Sequence, residues 1–335
     1  MLETIKNLVS RPTFTTLEQI RENAKIIHSD RILFPYTDHG VAHSDRVLRN
    51  LTQLFPSLFN DKNRQQLSQS EVFCLVAAIY LHDIGIQLNR NDSLLAYCKK
   101  MEIAEIDFSD QNAKGLFVRK QHHSISKFWV LDSIATRSSF SPSSSYVGDK
   151  GLAPYVANIC ESHGIDFEDH NEYTDTDGYE GNEIRMGLLC TLLSLGDALD
   201  CDKQRIIYDK LNNQDVPLDS KIHWMKHYYV DSINVKNGYL KLFYHFPKCA
   251  NPADQEVYQY YFCHQTKYWI EKCKEIRGKF LLPANISYDI DDSVKFDTYK
   301  DTLTDAELAY VKDCSVDIID EQIKRLKRKK EQFQA

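Results

Sequence analysis

Four acid or imidazole side chains stand in or beside apolar stretches of the sequence, where a charge is costly. His82 and Asp83 close the apolar run 72–81, and Asp197 lies within another apolar helical stretch. His43 falls on the apolar face of its own predicted helix. Buried charges need a partner, and a cation suits a mixed set of imidazoles and carboxylates. Such a donor set favours Mn, Fe, Co, Ni or Zn over Ca, which prefers oxygen ligands throughout.

These four residues are widely spaced, so no single helix can bring them together. His43 and His82 are 39 residues apart, and Asp83 and Asp197 are 114 apart. A bundle can direct such side chains into one cavity from facing helices. The sequence therefore predicts a helical bundle with its chemistry inside.

Helical signals dominate the first two hundred residues. Capping boxes that begin at Thr16 and Ser68 each predict the start of a helix. A third helix is predicted around His43, because Val47 and Leu51 share its apolar face. The serine-rich segment 138–145 predicts a loop. Three more helices are predicted at 121–134, 154–163 and 184–199.

The pattern changes after about residue 205. Two strand-like segments flank Asn237-Gly238, which is the strongest short-range signal for a tight hairpin. A capping box at Thr304 predicts a final helix. The fold class is therefore predicted as mainly α, with a helical metal-binding domain over 1–205 and a smaller α+β region over 206–335.

Composition excludes several classes of protein. The 335 residues include 41 Lys and Arg and 48 Asp and Glu, giving a net charge of −7. This balance disfavours a nucleic-acid coat protein or a protein held on anionic lipid by its charge. The nine cysteines include no CxxC pair, and no signal pattern or membrane-length apolar run is found. We expect a cytoplasmic protein with no membrane association. The basic run Lys324–Lys330 is expected to be a solvated helix end, with nucleic-acid binding as the alternative.

The order His43, His82-Asp83, Asp197 resembles the H…HD…D signature of the HD-domain metal-dependent phosphohydrolases. The segment 36–44 is similar to the first-histidine motif of the HD branch found with chaperone-type ATPase modules. The resemblance covers roughly residues 30–205. It implies an HD-type bundle that binds a divalent metal through these four residues, with His82 and Asp83 in catalytic roles.

The same resemblance implies further site residues. His122 and His163 match ligands of a second metal ion in dinuclear HD enzymes, with Asp83 as the bridge. Arg119 is a candidate phosphate contact, and an ordinary salt bridge is the alternative for it. His39 and Asp38 are either partners that orient a ligand imidazole or turn caps. One or two ions of Mn, Fe, Co, Ni or Zn are expected, with Mg as an alternative.

The predicted activity is hydrolysis of a nucleotide phosphate, at a phosphoester or phosphoanhydride bond, by metal-activated water. A nucleotide-sensing regulatory module that retains the metal site is one alternative. A nuclease acting on single-stranded nucleic acid is another. A homo-oligomer and a chaperone-type ATPase are the candidate protein partners.

Overall fold

The fold is mainly helical with two small groups of strands, which confirms the predicted fold class. A computed structural model describes the chain over residues 2–29, 37–59, 66–87, 91–103, 108–136, 151–164, 177–179, 182–206, 218–276, 288–298 and 300–314. The predicted loop 138–145 and the basic run 324–330 lie outside the described residues.

Eight α-helices lie in the described part of the first two hundred residues. They are α1 (Arg11–Ser29), α2 (Val41–Leu54), α3 (Gln69–Leu81), α4 (Ile84–Gln87), α5 (Asn91–Lys100), α6 (Gln111–Thr136), α7 (Ala153–Ser162) and α8 (Met186–Leu199). Two short antiparallel strands precede α8, namely β1 (Asp177–Tyr179) and β2 (Asn182–Ile184). Helix α7 packs against α6, α3 and α8, and α2 packs against α3 and α8.

The later part of the chain adds helices and a three-stranded sheet of order β3–β4–β5. Its elements are α9 (Leu218–Tyr229), β3 (Val230–Lys236), β4 (Tyr239–Pro247), α10 (Pro252–Ile276) and β5 (Asp289–Asp297). A further helix covers the described residues 305–314. The predicted capping box begins it, because Thr304 and Glu307 exchange hydrogen bonds between side chain and backbone.

The chain divides into two compact units. The first contains the described parts of Met1–Asp200, Val235–Leu240 and Ile270–Asp289. The second contains the described parts of Cys201–Asn234, Lys241–Trp269 and Ile290–Ala335. In the second unit Tyr229 is surrounded by four aromatic rings of the described residues, with its centroid 4.9 Å from that of Phe262. All of the residues predicted to hold metal belong to the first unit.

Helix α3 forms the centre of the first unit. Every residue from Glu71 to Leu81 is buried, since the run has no polar face to turn towards solvent. The predicted capping box is present: Ser68 accepts a hydrogen bond from the Glu71 backbone, and Glu71 accepts one from the Ser68 backbone. Among the described residues, 69–86 is the one stretch apolar and long enough to cross a membrane, but 89% of it is buried inside the protein. Such burial is typical of a core helix.

Two local predictions have different outcomes. The hairpin is confirmed: Asn237 and Gly238 both have positive φ, at 47° and 78°, as a tight primed turn requires. The capping box at Thr16 is wrong, because α1 begins five residues earlier, at Arg11. Ser10 occupies the position before the helix and accepts a hydrogen bond from the Thr13 backbone, so the start of α1 is already capped.

A partly buried ion pair connects the start of α8 to the start of α3. The Glu71 carboxylate accepts hydrogen bonds from Arg185 Nε at 2.8 Å and from a terminal guanidinium nitrogen at 2.7 Å. Burial raises the pKa of Glu71, but its hydrogen bonds to Arg185 and Ser68 outweigh burial and leave the pKa below its ordinary value. The pair therefore positions the two helices that carry His82 and Asp197.

We expect Arg185→Met to destabilise the protein at neutral pH by about 3 kcal/mol, because it leaves the buried Glu71 carboxylate without its cation. Since the pKa of Glu71 is lower in the folded state, its ionised form stabilises the fold above its unfolded pKa of about 4.3. This stabilisation is lost as the pH falls through the lower folded pKa. Denaturant unfolding of wild type and variant from pH 7 down to pH 3 should therefore show the difference shrinking in acid. A difference that is independent of pH would contradict the argument.

Candidate metal centre

Helix ends and helix faces of the first unit bring six predicted ligands together. The two predicted ligands that are adjacent in sequence stand where α3 ends, and the others come from four separate helices. The positions are His43 on α2, His82 at the C-cap of α3, Asp83 before α4, His122 on α6, His163 at the C-cap of α7, and Asp197 on α8.

One group of donors lies around His43. Its Nε2 atom is 3.3 Å from Nε2 of His82 and 3.3 Å from Oδ1 of Asp197. Oδ2 of Asp83 is 3.0 Å from Nε2 of His82 and 3.6 Å from Nε2 of His43. Both imidazoles are fully buried, whereas the Asp197 side chain is 28% exposed. This group therefore opens towards solvent beside Asp197.

A second group lies on the other oxygen of Asp83. The Nε2 atoms of His122 and His163 are 3.0 Å apart. They lie 3.7 Å and 3.6 Å, respectively, from Oδ1 of Asp83. The carboxylate of Asp83 thus presents Oδ2 to one pair of imidazoles and Oδ1 to the other.

The tautomers of three of these imidazoles follow from their other nitrogen. Nδ1 of His82, His122 and His163 lies 2.5–2.9 Å from a backbone carbonyl oxygen in its own helix, three residues earlier. A carbonyl only accepts hydrogen bonds, so each Nδ1 carries the proton. In the neutral rings each Nε2 then carries a lone pair, and these lone pairs face one another and the Asp83 carboxylate.

Facing lone pairs need a proton or a cation between them. Two sets of donors have ligand atoms within 4.8 Å of one another: His43, His82 and Asp197 form one, and His82, Asp83 and His163 form the other. Mixed imidazole and carboxylate donors fit Zn, Fe, Mn, Co or Ni. The residues that are present therefore fit a divalent metal ion.

The ionisation of the cluster matches this interpretation. Burial raises the pKa of Asp83, but the neighbouring His82 and His39 imidazoles outweigh burial and hold its pKa well below the ordinary range. Burial lowers the pKa of His122 to about 3. Burial also lowers the pKa of His163, but the Asp83 carboxylate, which stabilises the protonated ring by its charge and as a hydrogen-bond acceptor, outweighs burial and raises it. At neutral pH the cluster has an ionised carboxylate beside a neutral His122, as metal ligation requires.

His39 and Arg119, two further residues that the sequence singled out, both contact this cluster. His39 donates from Nδ1 to Oδ2 of Asp83 at 2.9 Å, and its Nε2 lies 3.2 Å from the hydroxyl of Thr37. His39 therefore orients a predicted ligand, but that ligand is the Asp83 carboxylate and not the imidazole that the sequence predicted. Arg119 is exposed, and it contacts the cluster through its backbone carbonyl, which accepts from His122.

Sequence reasoning missed Asp200 and Arg46 as parts of the site. Asp200 is the C-cap of α8 and lies 2.6 Å from Nδ1 of His43, while Arg46 donates to the Asp200 carboxylate. The spacing of each residue from a predicted ligand was a signal in the sequence. Asp200 is a second acid three residues after Asp197, and Arg46 follows His43 by three residues, on the same helix face.

A family model described as HD-CE matches residues 35–272, which is more than two thirds of the chain. The match spans all six predicted ligands and confirms the predicted resemblance to the HD-domain superfamily. No curated protein and no solved structure matches the chain.

Proposed function

The chain belongs to the HD-CE family, and on that premise we propose that it is a metal-dependent phosphohydrolase acting on a nucleotide. The observation that supports this most directly is the convergence of imidazole Nε2 atoms on the two oxygens of Asp83. A bundle has no structural use for several buried lone pairs aimed at one another, since each costs free energy when it is left unsatisfied. A divalent ion bound among them removes that cost.

Six side chains of this chain would hold metal in the proposed enzyme. His43, His82, Asp197 and Oδ2 of Asp83 surround the first position, and His122, His163 and Oδ1 of Asp83 surround the second. When bound there, a divalent cation would supply Lewis-acid stabilisation of phosphoryl oxygens and would lower the pKa of a water molecule. His39 holds the Asp83 carboxylate by donating to Oδ2, which keeps its two oxygens in place.

The exposure of the ligands indicates where a substrate enters. Asp197 and His122 have side chains that are 28% and 20% exposed, whereas the side chains of the four other ligands are at most 4% exposed. Arg119 and Lys120 are exposed and lie three and two residues before His122 on α6. Cations at this position would neutralise phosphate charge as the substrate approaches. The net charge of −7 favours a small nucleotide over a long polymer.

The proposal is tested by hydrolysis assays on the purified full-length chain. The panel is dNTPs, NTPs, monophosphates, linear and cyclic dinucleotides and single-stranded DNA, each with Mn, Co, Ni, Fe, Zn or Mg. We expect cleavage of a nucleotide with at least one of these ions, and we expect Asp197→Ala to fall to the rate of the metal-free protein. Glu18→Ala removes an exposed carboxylate from α1 and should keep wild-type activity.

Other outcomes of the same panel would replace the proposal. Tight nucleotide binding without cleavage by any metal would favour the nucleotide-sensing module. Cleavage confined to single-stranded DNA would favour the nuclease. A chaperone-type ATPase partner and a homo-oligomer remain predictions, which co-purification and light scattering can test.

We also predict two metal ions per chain. His122→Gln should reduce the metal content by one ion, because it removes one of the two imidazoles on Oδ1 of Asp83. The comparison is His123→Gln: the His123 ring lies beside Gly164 and packs edge-on to the His122 and His163 rings, but it is not a predicted ligand, so the metal content should stay unchanged. Elemental analysis after dialysis measures both variants. A single ion in the wild type, unchanged by His122→Gln, would show a mononuclear site.

A further inference from the structure

His43 differs from the other imidazoles of the metal centre in what holds its ring. Nδ1 of His82, His122 and His163 donates to a backbone carbonyl of its own helix. Nδ1 of His43 instead lies 2.6 Å from the side-chain oxygen Oδ2 of Asp200, which is 157 residues away in sequence. The orientation of this one ring therefore depends on a charged group from another helix.

Two carboxylates from the end of α8 face the two nitrogens of the His43 ring. Oδ1 of Asp197 is 3.3 Å from Nε2, and Oδ2 of Asp200 is 2.6 Å from Nδ1. The Asp197 side chain is 28% exposed, whereas that of Asp200 is 2% exposed. The two acids are thus placed for different tasks: Asp197 is on the ligand side of the ring and Asp200 is behind it.

The buried charge of Asp200 is balanced by Arg46. The guanidinium donates to both carboxylate oxygens, from Nε to Oδ1 at 2.6 Å and from a terminal nitrogen to Oδ2 at 2.9 Å. This two-point geometry is the strongest form of an arginine–carboxylate contact. The same terminal nitrogen lies 3.5 Å from Oδ2 of Asp38. Arg46 therefore places a positive charge against the Asp200 carboxylate and fixes its plane.

An ionised carboxylate on Nδ1 has two effects on an imidazole ligand. It fixes the proton on Nδ1, so that the Nε2 lone pair always faces the donor cluster. It also makes Nε2 more basic, which strengthens the bond to a metal. A carboxylate that is already paired with Arg46 does not move away to bind the cation itself.

We propose that Arg46 and Asp200 form a positioning pair that sets the metal affinity of the centre through His43. The inference rests on the proposed metal site and goes beyond it by assigning a task to two residues that are not ligands. Arg46 acts through Asp200, and Asp200 acts through the His43 ring. The proposal therefore predicts that substitutions of Arg46 and Asp200 do not change metal affinity independently of each other.

The test is the affinity of the full-length chain for Co²⁺ and Zn²⁺, measured by competition with a chromophoric chelator. Asp200→Ala should weaken binding about 10- to 100-fold, as is typical when the hydrogen-bond partner of a ligand is removed. Asp200→Asn keeps the shape and an oxygen for Nδ1 but loses the charge, so its loss should be smaller. The visible absorption of bound Co²⁺ should change in both variants, which a merely structural role would not cause.

A double-mutant cycle completes the test. Arg46→Met should weaken binding in the wild type, but it should add nothing in the Asp200→Ala background. Asp45→Ala is the matched control: it removes a carboxylate of α2 that pairs with Arg21 and Tyr80, and metal affinity should stay at the wild-type value. Wild-type affinity in both Asp200 variants, or additive losses in the double variant, would overturn the positioning pair alone. Absence of metal binding by the wild type would overturn the metal site itself.

Discussion

Replacing Asp83 with alanine is expected to abolish binding of divalent metal at both positions of the centre. Both of its carboxylate oxygens are committed: Oδ2 lies 3.0 Å from Nε2 of His82, and Oδ1 lies 3.6 Å from Nε2 of His163. Removing Asp83 also removes the negative charge that balances a divalent ion in a buried site. Metal content by elemental analysis should fall from the wild-type value to background.

The control must separate loss of ligation from loss of folding. Asp45→Ala removes another partly buried carboxylate of the first unit, which accepts hydrogen bonds from Arg21 at 2.6 Å and from Tyr80 at 2.7 Å. We expect this variant to be destabilised and to retain its metal. Asp83→Asn provides a second comparison, because it keeps the shape and loses the charge. Full metal occupancy in Asp83→Ala with a folded circular dichroism spectrum would contradict the assignment of Asp83 as the bridging ligand.

Local sequence patterns predicted many of the helices and turns, because each of these elements is determined by residues close together in the sequence. The Ser68 capping box starts α3, and the apolar face that includes His43, Val47 and Leu51 is buried along α2. Asn237-Gly238 forms the hairpin because both residues adopt positive φ. In each case the residues that decide the structure are within a few positions of one another.

The predictions failed where two local signals competed. Thr16 is followed by the residues of a capping box, yet its hydroxyl donates to the Pro12 carbonyl inside α1. Ser10 and a proline in the first turn had already started the helix upstream. A threonine in the middle of a helix satisfies its hydroxyl in this way, so the sequence alone does not distinguish it from a cap.

The sequence predicted which six side chains come together at the candidate site, but not the groups that hold them. The six predicted ligands stand at motif positions or within apolar helices, where a charge is unexpected. Asp200 and Arg46 are polar residues near helix ends and faces, where a solvated charge is the ordinary interpretation. Only packing of α2 against α8 shows that Asp200, at 2% exposure, is buried against His43.

The turn after His82 and Asp83 is held against α6 by one serine. Ser126 donates from its hydroxyl to the His82 carbonyl at 2.5 Å and accepts from the Gly85 backbone at 2.9 Å. Ser126 lies on the same helix as His122, one turn further along. These bonds set the distance between Asp83 and the imidazole of His122, so the metal centre depends on close approach of the turn to α6.

We therefore expect Gly85→Ala to destabilise the protein by more than about 3 kcal/mol and to remove metal from the His122 side of the centre. A Cβ atom on Gly85 would meet the backbone carbonyl of His122 and would lie 3.0 Å from the backbone nitrogen of Ser126. Helix backbone cannot rotate away as a flexible side chain can, so the turn must move and carry Asp83 with it.

Gly115→Ala on α6 is the matched control. A Cβ atom at Gly115 meets nothing within 4 Å, and removing a mid-helix glycine should stabilise α6 by about 0.5–1 kcal/mol. Thermal melts and metal analysis of both variants measure these effects, and a Gly85→Ala protein with wild-type melting temperature and metal content would show that the turn does not set the geometry of the centre.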